Sequence, residues 1–148
     1  MVLILKILVA IFASAGFMLA LYIHRTKKNA TPLVCPLDGN CHEVVHSDYS
    51  RFLGIPVEIL GLLYYTIIVI LYVCFAFFPL ILPLFASYAV LGLTVIAFFF
   101  SIYLTALQAL VIKQWCTWCL FSAGICTVIF ILALLIANTK AADLLGSL

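Results

Sequence analysis

Four long apolar stretches set the limits on how this chain can fold. They cover residues 2–23, 57–78, 84–112 and 116–137. Each is longer than the roughly 20 helical residues that cross a hydrocarbon core of about 30 Å. Backbone groups in lipid must be paired within their own segment, and none of the stretches alternates in polarity, so helices are favoured over barrel strands. The pattern predicts an all-α integral membrane protein, a four-helix transmembrane bundle forming one domain over residues 1–148.

Composition excludes two broad classes. The chain has 148 residues, of which 68% are hydrophobic and 8% are charged, whereas about 25% of a soluble domain is charged. The net charge is only +2, and no basic cluster is interleaved with aromatic residues as in proteins that follow nucleic-acid phosphates. We therefore expect neither a soluble domain nor a nucleic-acid partner.

The first stretch has two interpretations. Ala13-Ser14-Ala15 resembles the processing site of a signal peptide. Cleavage there would leave only Ile7 to Phe12 as the apolar core, shorter than the roughly 7–15 residues of a signal peptide, and strong apolarity continues to Ile23. We predict a retained helix.

One polar loop, residues 24–56, lies between the first two stretches, and it carries Cys35 and Cys41. The next connection is short, around Pro79 and Pro83, and only residues 113–115 separate the third and fourth stretches. With four crossings, the loop and this third connection lie on the same side of the membrane. Helix parity therefore places both loop cysteines on the side where the fourth helix begins.

A short helix is predicted within the loop, from Ser47 to Leu53. Ser47 is a favourable N-cap, and Gly54 with Pro56 would end the helix. Its aromatic and aliphatic side chains, with Phe52 among them, would lie in the membrane interface. Such a helix would cover the end of the bundle and roof a ligand pocket.

Cys116 and Cys119 form a C-x-x-C motif at the start of the fourth helix. Positions i and i+3 share a helical face, and a helix N-terminus lowers the pKa of a thiol. This placement indicates a reactive dithiol, although a C-x-x-C can also be half of a zinc site. The five residues between Cys35 and Cys41 are rich in turn formers, including Pro36, Asp38, Gly39 and Asn40, so that pair can form either a structural or an exchangeable disulfide.

The other thiols and the loop histidines have plainer interpretations. Cys74 and Cys126 lie within apolar helices, where free cysteine is a common small hydrophobic residue. His42 and His46 could raise the thiolate content of the loop cysteines or bind a metal, but histidines in polar loops are more often simply solvated.

Taken together, the motifs and their order resemble the vitamin K epoxide reductase family. The resemblance covers essentially the whole chain and rests on the combination of motifs. They are Cys35-x5-Cys41, Ser47, Arg51-Phe52-Leu53-Gly54-Ile55-Pro56, Leu60-Gly61-Leu62-Leu63-Tyr64-Tyr65 and Cys116-x-x-Cys119.

The resemblance implies a quinone of the ubiquinone, menaquinone or phylloquinone type, held near the C-x-x-C motif, and a thioredoxin-like protein that supplies electrons. By position, Cys119 would be the thiolate that faces the quinone, Cys116 would exchange disulfides with Cys41, and Cys35 would meet the redox partner. Ser47 matches a loop serine near the active site, and Phe52 would lie over the quinone. No metal is expected.

Two departures narrow the expectation to a microbial, disulfide-forming member. We expect no fused thioredoxin-like domain after the fourth helix, so the partner would be a separate protein. Ala123 occupies a position where the vertebrate enzymes carry a tyrosine near the ring. The resemblance thus implies oxidation of protein dithiols by a membrane quinone rather than reduction of an epoxide.

Alternatives and orientation remain open at the level of sequence. A metal-binding membrane protein could ligate its ion with all four thiolates, and a purely structural assembly factor is a third class. The other quinone-linked disulfide generator with four helices carries its C-x-x-C motif by the first loop, and the order of motifs in this chain disfavours it.

The positive-inside rule places the cysteine face in the cytoplasm, because that face carries more basic residues: Arg25, Lys27, Lys28, Arg51 and Lys113, against Lys6 and Lys140. Disulfides, however, persist in oxidising compartments, and we expect the exofacial orientation in the cell membrane.

Overall fold

A computed structural model of the chain describes residues 1–29, 31, 33–37, 39–77 and 84–146. The long helices are α1 (Val2–Lys28), α3 (Val57–Phe77), α4 (Leu84–Leu107) and α5 (Thr117–Gly146), and a short helix, α2, covers Cys41–His46. A π-helical turn, Gln108–Ile112, extends α4. Four of these segments are long and apolar enough to cross a membrane: Val2–Lys28, Val57–Phe77, Ala86–Ile112 and Thr117–Asp143. The predicted fold class is confirmed: the protein is an all-helical integral membrane protein.

Small residues on α1 let this helix pack closely against its neighbours. This helix packs along α3 and α5, and α4 packs along α5. Ala13, Gly16 and Ala20 are buried on α1, and small residues let membrane helices approach closely. A Cβ atom at Gly16 would overlap the ring of Tyr65 on α3. The first helix is therefore part of the bundle core, which also contains the fully buried Ile68 and Ile129.

The loop differs from its sequence prediction. The helix expected from Ser47 to Leu53 is wrong: Asp48–Ser50 forms one 3₁₀ turn, and the strands β1 (Arg51–Phe52) and β2 (Ile55–Pro56) form a small antiparallel hairpin. Leu53 and Gly54 both have positive φ, 52° and 84°, as a type I′ two-residue turn requires. The loop helix is instead α2, which begins at Cys41.

The boundaries of the long helices also shift. The first helix reaches Lys28 rather than residue 23, and the last runs from Thr117 to Gly146 rather than over 116–137. Lys113 takes a left-handed conformation, with φ 53°, and ends the π-helical turn. The connection predicted around Pro79 and Pro83, like the predicted end of the second helix at residue 78, lies outside the described residues.

Candidate functional site

All four cysteines singled out in the sequence meet at one end of the bundle, as helix parity predicts. Cys35 and Cys41 form a disulfide with a Cα–Cα distance of 5.7 Å, whereas Cys116 and Cys119 are free thiols. Cys41 is 1% exposed and Cys116 is fully buried in the same small cluster, against which Cys35 and Cys119 pack. The two pairs are thus neighbours in one apolar environment.

The loop carrying the disulfide is held against the C-x-x-C segment by polar contacts. The indole N–H of Trp118 donates to the carbonyl oxygen of Val34 at 3.1 Å. The amide of Asn40 donates to the side-chain oxygen of Gln114 at 3.3 Å. Between these two bonds the backbone of Gly39 lies so close to the Trp115 carbonyl that a Cβ atom at Gly39 would collide with it. These residues form the docking contact between the loop and residues 114–118.

Cys116 acts as the N-cap of α5. Its carbonyl oxygen accepts the N–H of Leu120 at 3.0 Å, and its Sγ accepts the N–H of Cys119 at 3.3 Å. A side-chain acceptor on the backbone N–H three residues ahead is the usual geometry of an N-cap. The N–H of Cys116 itself donates to the side-chain oxygen of the buried Gln108 at 3.2 Å. The sulfur is therefore held in a defined position at the positive end of the helix dipole.

This geometry favours the thiolate form of Cys116. The neighbouring Cys119 thiol, helped by the backbone N–H groups of Cys119 and Trp118, holds the pKa of Cys116 below its ordinary value. Burial acts in the opposite direction and is outweighed. Since the thiolate is the nucleophile in disulfide exchange, Cys116 is the more activated sulfur of the helical pair.

A largely apolar cavity of about 180 Å³ lies inside the bundle below the loop. Four residues of α5 at i, i+3, i+4 and i+7 line it: Cys119, Ser122, Ala123 and Cys126. An apolar cavity of about 150 Å³ in another protein admits benzene, so this one has room for an aromatic or quinonoid ring. A long apolar tail would have to extend beyond it.

The loop residues predicted to bind the quinone are placed differently from one another. Ser47 lines the cavity, and its hydroxyl donates to the carbonyl oxygen of Val44 at 2.8 Å rather than capping a following helix. Phe52 is not among the residues that line the cavity. Its ring meets Phe100 edge-on, with centroids 5.2 Å apart, and Phe100 does line the cavity. Phe52 therefore reaches the cavity only through Phe100.

The remaining sequence candidates lie at the edge of this site or away from it. His42 and His46 are exposed and stacked on each other, with ring centroids 4.3 Å apart. Cys74 lies on α3 and is not part of the cavity wall, whereas Cys126 is. Because Cys35 and Cys41 are joined to each other, they present no thiolates to a metal. Over the residues that the structure describes, no group of three His, Cys, Asp or Glu side chains is arranged to hold a metal ion.

One feature of the cavity was not found from the sequence. Glu58, in the first turn of α3, is buried in the cavity wall and pairs with Lys27 at 3.2 Å. Lys27 also donates to the hydroxyl of Ser50 at 3.2 Å. An acidic residue inside an apolar stretch is expensive in a membrane and points to a function or a partner, so the signal was present in the sequence. The sequence did not show that Lys27, 31 positions earlier on α1, is the partner of Glu58.

Four membrane helices with two cysteine pairs at one end define an integral membrane protein equipped for thiol chemistry. Residues 6–134 match the model of the Vitamin K epoxide reductase family. The match covers most of the chain, which belongs to that family. The protein is therefore a membrane thiol oxidoreductase.

Proposed function

We propose that the protein passes electrons from a thioredoxin-like protein to a membrane quinone and so promotes disulfide formation. Electrons enter at Cys35 and Cys41 and leave from Cys116 and Cys119. The observation that carries this proposal is a shared position: Cys119 packs against the cluster that contains the loop disulfide and also lines the cavity. One side chain thus connects the exchange chemistry to a space that fits a ring.

The exchange steps follow from thiol chemistry. A dithiol of the donor protein reduces the Cys35–Cys41 disulfide, and the partner becomes a disulfide. The released thiolate of Cys41 then attacks the Cys116–Cys119 disulfide at Cys116, and Cys35 displaces Cys116, so the loop disulfide re-forms and the helical pair becomes a dithiol. Burial of Cys41 and Cys116 in one cluster supports this pairing, and the lowered pKa of Cys116 makes it a good leaving group.

The helical dithiol supplies what the last step needs. A quinone bound in the cavity accepts two electrons and two protons and leaves as the quinol. Cys116 and Cys119 together give up two electrons and two protons as they form their disulfide, so the step balances without another reductant. Cys119 is the sulfur nearest to the acceptor in this scheme, because it lines the cavity.

The other proposed roles follow from position. Cys35 is the contact for the redox partner, because it is only half buried and its neighbours Val34 and Leu37 are 72% and 71% exposed. These apolar side chains offer a docking surface. Ser47 contributes to the quinone site directly, and Phe52 contributes by supporting Phe100. We also propose a quinone rather than an epoxide as the acceptor, because Ala123 lines the cavity at a position where the resemblance to the vertebrate enzymes implies a tyrosine.

The orientation that we propose places the cysteine face outside the cytoplasm. The loop disulfide supports it, because disulfides persist in oxidising compartments. Labelling of intact cells with a membrane-impermeant thiol reagent tests it after mild reduction of the loop. Protection of Cys35 until the membrane is permeabilised would place this face in the cytoplasm.

The function is tested with purified protein, a soluble quinone analogue and two donors, reduced thioredoxin and dithiothreitol. Cys119→Ala should abolish quinone reduction with both donors. Cys35→Ala should abolish it with thioredoxin but spare dithiothreitol, which can reach the helical pair directly. Cys74→Ala, a cysteine outside the cavity wall, is the matched control and should behave as wild type. The proposal fails if the wild-type protein reduces no quinone, or if Cys119→Ala retains turnover.

A further inference from the structure

The hydroxyl of Tyr64 is an unusual atom in this site. Among the residues that the structure describes, it is the one buried side-chain oxygen or nitrogen atom without a hydrogen-bond partner. The neighbouring Tyr65 does have a hydrogen-bond partner, because the Tyr65 hydroxyl donates to the carbonyl oxygen of Ser122 at 3.0 Å. Buried polar groups in native proteins are nearly always hydrogen-bonded, and an exception calls for an explanation such as a functional role.

The residues around Tyr64 do not supply a strong hydrogen-bond acceptor for its hydroxyl. The residue lines the cavity, and its ring packs against that of Tyr65, with centroids 5.1 Å apart. The hydroxyl interacts with the Cys126 thiol beside it, but sulfur is only a weak acceptor, and no partner meets hydrogen-bond geometry. Tyr64 is therefore a residue of the cavity wall whose hydroxyl keeps an unused donor.

The position of this donor relative to Cys119 fits a ring between them. Cys126 is seven residues beyond Cys119 on α5, and both line the cavity. At about 1.5 Å of rise per residue, that places the two thiols about 10 Å apart along the helix. A ring system with a carbonyl group spans such a gap, with one edge at Cys119 and its oxygen at Tyr64.

We infer that Tyr64 is a specificity-determining residue, whose hydroxyl donates a hydrogen bond to the carbonyl oxygen of the ring bound in the cavity. This inference rests on the proposed function. The bond would select a quinone over an apolar ring of the same size, because only the quinone satisfies the buried donor.

The test compares two probes that differ in their carbonyl groups, menadione and methylnaphthalene. Full-length protein in detergent is titrated with each probe, and binding is followed by quenching of tryptophan fluorescence. Tyr64→Phe, which removes only the hydroxyl, should weaken menadione binding about three- to tenfold and leave methylnaphthalene binding unchanged. With dithiothreitol as donor, the KM for menadione should rise by the same factor while kcat changes little.

Stability provides a second readout. Without any probe, Tyr64→Phe should unfold at the same temperature as wild type or a higher one, because the change removes an unsatisfied buried group. Tyr72→Phe is the matched control: this buried tyrosine of α3 lies outside the cavity, and its loss of a hydroxyl should leave both affinities unchanged.

If the wild type binds menadione, three results would overturn the inference. Equal menadione affinity of Tyr64→Phe and wild type would overturn it alone and leave the proposed function standing. Equal weakening for both probes would assign Tyr64 a role in shape only. A lower unfolding temperature of ligand-free Tyr64→Phe would mean that the hydroxyl already has a partner in the protein. Failure of the wild type to bind menadione would instead remove the proposed function, and this inference with it.

Discussion

Replacement of Gly39 by alanine tests whether the docking contact is what brings the two cysteine pairs together. A Cβ atom at this position would collide with the Trp115 carbonyl and lie 3.2 Å from Cys35 Sγ and 3.4 Å from Thr117 Oγ1. Trp115 and Thr117 belong to residues 114–118, on the far side of the docking contact, and the main obstacle is a backbone atom that cannot rotate away. Gly39→Ala must therefore push the loop outward.

The free energy lost from the docked state follows from the hydrogen bonds on either side of Gly39. An outward shift breaks the bond between Trp118 and Val34 and the bond between Asn40 and Gln114. Each such bond contributes about 0.5–1.5 kcal/mol net, and both are exposed, which puts each in the lower half of that range. The docked state should therefore lose about 1–2 kcal/mol, which is a factor of about 5–30 in population.

The assay compares quinone reduction driven by thioredoxin with that driven by dithiothreitol. Gly39→Ala should slow the first by up to that factor, because electrons must then pass through a loop that is docked less often. It should leave the second nearly unchanged, since the helical pair and the cavity are intact. Gly92→Ala is the matched control, because a Cβ atom there meets nothing within 4 Å. A wild-type rate with thioredoxin would refute the reasoning, and equal loss with both donors would point to a general disruption of the fold.

Two further predictions concern the charged pair and the capped thiol. Lys27→Met should lower the free energy of unfolding by about 3–5 kcal/mol, since it leaves the carboxylate of Glu58 buried and unpaired. Reversible unfolding in mixed micelles measures this, and the double variant Lys27→Met/Glu58→Met should recover most of the loss; no recovery would contradict the assignment. In the reduced protein, Cys116 should ionise below the usual thiol pKa of about 8.5, and Cys119→Ala should move its titration to higher pH, because the neighbouring thiol is the main cause of the lowered pKa. The ultraviolet absorbance of the thiolate, taken as a difference from Cys116→Ala, follows this titration, and an unchanged midpoint in Cys119→Ala would contradict the stated cause.

Local pattern was informative wherever one property repeats along the chain. The apolar stretches predicted four spans because the bilayer imposes a minimum length on each. The number of spans then predicted that both cysteine pairs lie on one side of the membrane, because each span takes the chain to the opposite side. The hairpin at residues 51–56 was missed because Leu53-Gly54 is a weak turn signal compared with Asn-Gly or Asp-Gly. A 3₁₀ turn and a hairpin of this size leave no periodicity from which to predict them.

The sequence by itself determined that this is a four-span membrane protein with two cysteine pairs on one side. Hydrophobic length and cysteine spacing are properties of neighbouring residues, and they need no knowledge of how the helices pack. Only the tertiary structure decided that Cys116 caps α5 and meets the loop disulfide, that Lys27 neutralises Glu58, and that Tyr64 is left without a partner. Each of these depends on side chains brought together from separate helices and loops, or on the exact residue where a helix begins, and no local pattern specifies either.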